Sequence, residues 1–205
     1  MEFNRASATM MSLHSEAHHT HCWIQSHSYN LFSGFVFLAV ALLPILLYPH
    51  PNLRKRCQEV TDFSKDLKKL SEDLLETMYA SNGIGLSAPQ VNVPRRIITV
   101  DITPNRSDPK VLINPTITRS DNLTLYEEGC LSFPGFYEKV KRPHQIEVQA
   151  QDVNGDKFTL QAEGVKAVCI QHECDHLDGK LFVDYVSKLR ASRIHKKMVR
   201  GNKPK

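Results

Sequence analysis

Cysteine is scarce and irregularly placed in this chain, which excludes a disulfide framework as the basis of the fold. The five cysteines, Cys22, Cys57, Cys130, Cys169 and Cys174, are odd in number and follow no repeating interval. They read as thiols kept free for packing or metal in a reducing compartment, so a cytoplasmic location is expected. A large excess of one charge is lacking too. Twenty-six Lys and Arg against 22 Asp and Glu leave a net +4, too little for the whole chain to read as a nucleic-acid binder, and no specific DNA binding is expected. Neither glycine (9) nor proline (11) reaches a low-complexity level in 205 residues. A chain of that length holds one domain with its own core, with room for an extension.

Charge is missing altogether between Glu16 and Arg54. Within that gap runs LFSGFVFLAVALLPILL, residues 31–47. A secretory signal would need a basic region close to the apolar run, and Arg5 is distant and offset by Glu2 and Glu16. A membrane span would be short and interrupted by Pro44. If it did span, Arg54-Lys55-Arg56 would place the following domain in the cytoplasm. The favoured reading is an irregular extension over 1–40, with ALLPILLYP as the opening strand and turn of a domain over 41–205, and no membrane contact by 31–47. An over-called start, with Val40 as the true first residue, would account for the break in composition.

Beyond that point the pattern is helix, strands, helix. TDFSKDLKKLSEDLLETMYASNG reads as an amphipathic helix with Phe63, Leu67, Leu70, Leu74, Leu75 and Met78 on one face. Thr61 or Asp62 is expected to cap its start and Asn82-Gly83 to end it. Runs rich in β-branched residues follow at 96–102, 111–117, 145–153 and 157–163, with Asn154-Gly155 as a hairpin turn between the last two. GVKAVCIQHECDHLDG and SKLRASRIHKKMVRG read as a second and a third helix. The order predicts an α+β fold: short antiparallel β-sheets packed around a central helix, with an N-terminal and a C-terminal helix.

IQHECDHLDG, residues 170–179, carries the chemistry. On a helix, His172 and His176 stand one turn apart on one face, and Glu173 lies beside them as a base. Such a site needs a third ligand. The metzincin continuation would require a histidine where Phe182 stands. A thermolysin-like glutamate is excluded because no glutamate follows Glu173. The third ligand therefore comes from upstream, where Cys57, Cys130, His50 and His144 are candidates, with Cys169 on the helix itself. Cys174, about 200° from His172 around the helix, points away and reads as a core thiol. Cys130 lies in the tight loop EEGCLSFPG, able to present a thiolate.

GIGLSAPQ (83–90), EGCLSFPG and QHECDHLDG, in this order, resemble the three signature motifs of the bacterial-type peptide deformylases, over residues 41–200. Two departures are small: Ser87 stands where alanine is more common in the family, and Asn92 replaces a common glycine. The resemblance implies one divalent metal ion, Fe2+ first, with Zn2+, Ni2+ or Co2+ able to substitute, held by Cys130, His172 and His176. It implies removal of the N-formyl group from the initiator methionine of nascent peptides, with Glu173 as general base. Gln90 and the Leu131 N–H are implied as oxyanion donors. Ile84, Gly85, Glu128, Val168 and Cys169 are implied to bind the N-formylmethionyl peptide as an added strand with its methionine in an apolar pocket. A metallopeptidase acting on unformylated peptides is the rival enzyme, disfavoured by Phe182, and a non-catalytic metal-binding module would leave Glu173 and Gln90 idle.

The tail from residue 187 onward is basic. Eight Lys or Arg and no acid lie between Lys188 and Lys205. A solvated helix favoured by its dipole explains part of this, and contact with the ribosome is the other expectation.

Overall fold

The computed structural model describes residues 41–201. The expected extension over 1–40, most of the apolar run 31–47, Cys22 and the last four residues of the tail lie outside the described residues. Among the described residues, no helix is long and apolar enough to cross a membrane.

Residues 41–47 form no strand, contrary to the sequence expectation. Pro44 has no N–H to give to a ladder, and the neighbouring N–H groups go elsewhere. Ala41 donates to Asp73 Oδ1 at 2.7 Å, Leu43 to Thr77 Oγ1 at 3.0 Å, and Leu46 to the Gln90 carbonyl at 2.7 Å. The segment thus straps helix α1 to the loop that carries Gln90. Pro49-His50-Pro51 does make a turn, continuing as a short 3-10 turn over Pro51–Arg54.

Helix α1 (Lys65–Ala80) starts later than Thr61 or Asp62, with Ser64 in the N-cap position. The delay has a cause upstream. Asn114 accepts the Val60 N–H and donates to the Val60 carbonyl, both at 2.8 Å, and this holds the chain extended before it turns. Leu67, Leu74 and Met78 are fully buried, and Phe63, Leu70 and Leu75 pack partly buried on the same cluster. The helix ends at Ala80 with Asn82 in the left-handed region, and Gly83 N–H returns to the Met78 carbonyl at 2.9 Å.

One five-stranded antiparallel sheet in the order β1-β2-β3-β4-β5 replaces the several short sheets expected. Its strands are β1 (Gly85–Ser87), β2 (Ile97–Val100), β3 (Lys110–Gly129), β4 (Tyr137–Gln151) and β5 (Lys157–Glu163). The run read as 111–117 extends to Gly129, because pairing with β4 continues from Arg119↔Glu147 to Gly129↔Tyr137. Strand β5 matches its expected range, and the Asn154-Gly155 turn closes the β4–β5 hairpin with Gly155 at φ 93°.

Helix α2 (Gly164–Leu177) lies against β1, β2, β4 and β5 and carries the HExxH residues into the core. Ala167, Ile170 and Leu177 are fully buried on the sheet side. It stops where Gly179 turns left-handed at φ 71°, and a Cβ there would meet the Arg54 carbonyl oxygen at 2.4 Å. Helix α3 (Lys188–Gly201) docks through Ile194 and Met198 onto a cluster containing Leu53, Phe133 and Phe182.

Candidate active site

Helix α2 sets the first two donors. His172 and His176 stand one turn apart with ring centroids at 5.1 Å and planes at 72°. Cys130 follows the end of β3 in a tight loop closed by the Phe133 N–H on the Cys130 carbonyl at 2.8 Å. The loop is pinned by Phe133, fully buried, which stacks on Tyr48 at 4.6 Å and meets the edge of Phe182 at 4.9 Å. Cys130 Sγ comes to 3.3 Å from His176 Nε2. One ligand atom from each of Cys130, His172 and His176 lies within 4.8 Å of the others.

The other upstream candidates are elsewhere. His144 Nδ1 is 2.5 Å from the Tyr126 hydroxyl, His50 accepts from the Asn52 N–H, and Cys57 sits in the core. Cys174 is buried on the far side of α2, as the helical angle requires, and lines a separate groove of about 750 Å3 together with Cys57.

The donor set suits a divalent ion: one soft thiol and two imidazoles at a single point. His176 is held well below the usual histidine range by burial and by the charges of His172, Arg142 and Arg54, so its imidazole is neutral. Its Nδ1 is a buried polar atom with no partner among the described residues. For His172 burial lowers the pKa, but hydrogen bonds to Cys130 and Glu128 and nearby negative charge outweigh burial and raise it.

Glu128, expected to bind substrate, lines the cleft beside the donors. Its carboxylate turns inward and takes the Arg142 fork, Nε on Oε1 at 2.6 Å and Nη2 on Oε2 at 3.0 Å. The same Oε2 lies 2.8 Å from His172 Nδ1. Arg142 also donates to Asp175 Oδ2 at 2.6 Å and lies over the Tyr185 ring. Arg142 and Asp175 were not singled out from the sequence. A cue was present: Arg142 shares the inward phase of Val140, Ile146, Val148 and Ala150 along β4, and an arginine in that phase needs a buried acid.

Glu173 is buried beside the donors, with Oε2 lacking any partner among the described residues. Desolvation pushes its pKa up to about 7, partly opposed by the His172 charge and the Ser87 hydroxyl. Gln90 sits in the short turn Ala88–Val91 after β1 and is buried. Its Oε1 accepts from the Ser87 N–H at 2.9 Å and from the Ser87 hydroxyl at 2.8 Å. Its Nε2 faces Ser132 Oγ at 3.2 Å and Cys130 Sγ at 3.6 Å.

A cleft of about 300 Å3 opens beside these groups. Ile84, Gly85, Leu131, Val168, Cys169, His172 and Glu173 line it, as does the Glu128 segment of β3. Tyr126, Tyr137 and Val165 complete the wall, and the sequence reading did not name them. Ile84 is nearly half exposed at the rim, whereas Cys169 is buried with Sγ on the Ile84 carbonyl at 3.4 Å. The Cys169 thiol is raised well above the ordinary thiol range by burial and the charges of Glu173 and Glu128, so it is a wall and not a nucleophile. The three motifs thus meet in one cleft with an apolar recess at one end.

Known proteins match this arrangement. The sequence profile of the polypeptide deformylase family matches residues 42–192. A peptide deformylase of Cellvibrio japonicus is 50% identical over 165 residues, covering 80% of this chain and 98% of that one. A peptide deformylase of Pseudomonas aeruginosa is 49% identical over 160 residues, covering 78% and 95%. Among solved structures, a peptide deformylase from Legionella pneumophila superimposes with a TM-score of 0.75 at 39% identity, covering 80% of this chain and all of that one. The enzyme from Ehrlichia chaffeensis in complex with actinonin gives 0.77 at 34% identity, covering 80% and 99%. With its fold and nearly the full length of these relatives in common, the chain belongs to the polypeptide deformylase family.

Proposed function

We propose that this protein removes the N-formyl group from the initiator methionine of newly made chains, releasing formate. The observation that carries the reading is the meeting of Cys130, His172 and His176 beside the buried Glu173, in a chain of this family. A divalent ion held by these three side chains would polarise the formyl carbonyl and lower the pKa of the attacking water. Fe2+ is the first candidate; a thiolate with two imidazoles also suits Zn2+, Ni2+ or Co2+.

The chain's own groups do the rest. Glu173, unpartnered at Oε2, takes the proton from the attacking water and returns it to the departing amine. Gln90 Nε2, already beside Cys130, and the Leu131 N–H give hydrogen bonds to the oxygen that gains charge. The peptide lies extended along Ile84 and Gly85 and against the Glu128–Gly129 backbone, with its methionine beside Val168 and Cys169. The inward carboxylate of Glu128 orients His172 instead of touching substrate.

Residues 41–205 make up the catalytic domain in this reading, 1–40 are an extension, and the site of action is the cytoplasm. The exposed Lys and Arg of α3 serve contact with the ribosome, supported by the absence of acid from this helix. Deleting residues 188–205 would then weaken ribosome co-sedimentation in a salt-dependent manner. The activity is tested with formyl-Met peptides against their unformylated counterparts, with Glu173→Ala as control. Hydrolysis of unformylated peptides, or full activity without Glu173, overturns the assignment. Metal analysis of anaerobically purified protein identifies the ion.

A further inference from the structure

The Gln90 amide that faces the metal ligands is held by Ser87. Gln90 is 1% exposed, and its terminal torsion has a broad energy profile, so its neighbours must decide which way the amide faces. The Ser87 backbone N–H lies 2.9 Å from one terminal atom. An N–H only donates, so that atom is the amide oxygen, and Nε2 faces Ser132 Oγ and Cys130 Sγ. One such bond leaves a pivot. The Ser87 hydroxyl adds a second donor to the same oxygen at 2.8 Å, and two donors fix the plane of the amide. Ser87 is fully buried, so water does not compete for this bond. A second donor on Oε1 also polarises the amide, which makes its Nε2–H a stronger donor at the far end.

We propose that Ser87 is a positioning residue for deformylation, its hydroxyl clamping the Gln90 amide so that Nε2 stays aimed at the reacting oxygen. The proposal rests on the reading of Gln90 as an oxyanion donor. Two roles compete with it: Ser87 precedes the turn Ala88–Val91, where a serine can serve as a helix cap whatever Gln90 does, and its hydroxyl also faces the Glu173 carboxylate, an effect that would persist without Gln90.

A kinetic double-mutant cycle on the metal-loaded full chain separates the clamp from both. Ser87→Ala removes only the hydroxyl oxygen and leaves the backbone donor in place. It should lower kcat on a formyl-Met tripeptide by roughly 3- to 10-fold, the worth of one hydrogen bond, with KM and metal content unchanged. On a Gln90→Ala background the same substitution should have no further effect on kcat. Equal losses on both backgrounds, or no loss from Ser87→Ala alone, would overturn the clamp and leave the Gln90 reading intact. Full kcat in Gln90→Ala itself would instead overturn the oxyanion reading, and the clamp with it.

Discussion

His172 Nδ1 lies 2.8 Å from Glu128 Oε2, so one nitrogen of this ring is tied to a carboxylate and Nε2 is left for an ion. The carboxylate is itself fixed by the Arg142 fork, and Arg142 by Asp175. Such outer partners set the ring orientation and raise the basicity of a ligand. Glu128→Gln should therefore reduce metal affinity by roughly 10- to 100-fold, read as metal content after dialysis against a graded chelator. It should also destabilise the fold, since a buried Arg142 loses a charged partner. Unchanged metal retention would show that the Glu128–His172 contact is incidental.

Gly85 offers a sharper test of the cleft wall. A Cβ at this position would stand 2.6 Å from Cys169 Sγ and 2.6 Å from Glu173 Oε1. Strand β1 cannot retreat, because Gly85 pairs with Val100 in the sheet. Gly85→Ala should displace the Glu173 carboxylate and lower kcat/KM by roughly 100-fold, as an ångström-scale misplacement of a reacting group does. Near-wild-type kinetics in that variant would mean that Glu173 is not held where the reaction needs it.

Much of this site was legible in the sequence because its signals are local. The one-turn spacing of His172 and His176, and the outward angle of Cys174, follow from helix geometry alone. Cys130 as third ligand came from the resemblance, since the sequence by itself left several upstream donors open. Alternation along β4 marks Arg142 as inward-facing, but which acid it meets is set by the pairing of β3 with β4, and no local signal names Glu128 as its partner. The same pairing explains why β3 runs on to Gly129: its outer half is exposed and lacks alternation, so the ladder with β4 sustains it. The misread strand at 41–47 failed for the converse reason, since an apolar composition does not reveal that its N–H groups bind Asp73, Thr77 and Gln90.

The pH dependence follows from the burial of Glu173. Its pKa is pushed up to about 7 by desolvation, and only the carboxylate can accept a proton. A bound dication favours the carboxylate, so the acid limb of kcat/KM should lie at or below about 7. In the metal-free protein the sign for stability is fixed. An acid raised on folding stabilises fully below its unfolded value, near ~4.3, and loses that contribution as pH rises toward 7, because the unfolded chain ionises first. Glu173→Gln should therefore raise the metal-free melting temperature at pH 8 and leave it nearly unchanged at pH 4. Equal shifts at both pH values would contradict an ionising, buried Glu173.

Phe182 stands where a metzincin would place its third histidine, and it supports the metal donors by packing instead. It is 1% exposed, meets Phe133 edge-on at 4.9 Å, and stacks near the His172 ring at 6.3 Å. Phe133 in turn pins the loop that presents Cys130. Phe182→Ala should thus act twice. The cavity should cost roughly 3–5 kcal/mol in a denaturant titration, and the loosened Phe133 loop should lower metal retention in the same protein. Phe182→Leu refills most of the volume and should recover most of the stability, but it removes the flat face against His172. If metal retention recovers in step with stability, Phe182 supports the site through the Phe133 loop; if retention stays low, the ring contact with His172 carries the effect.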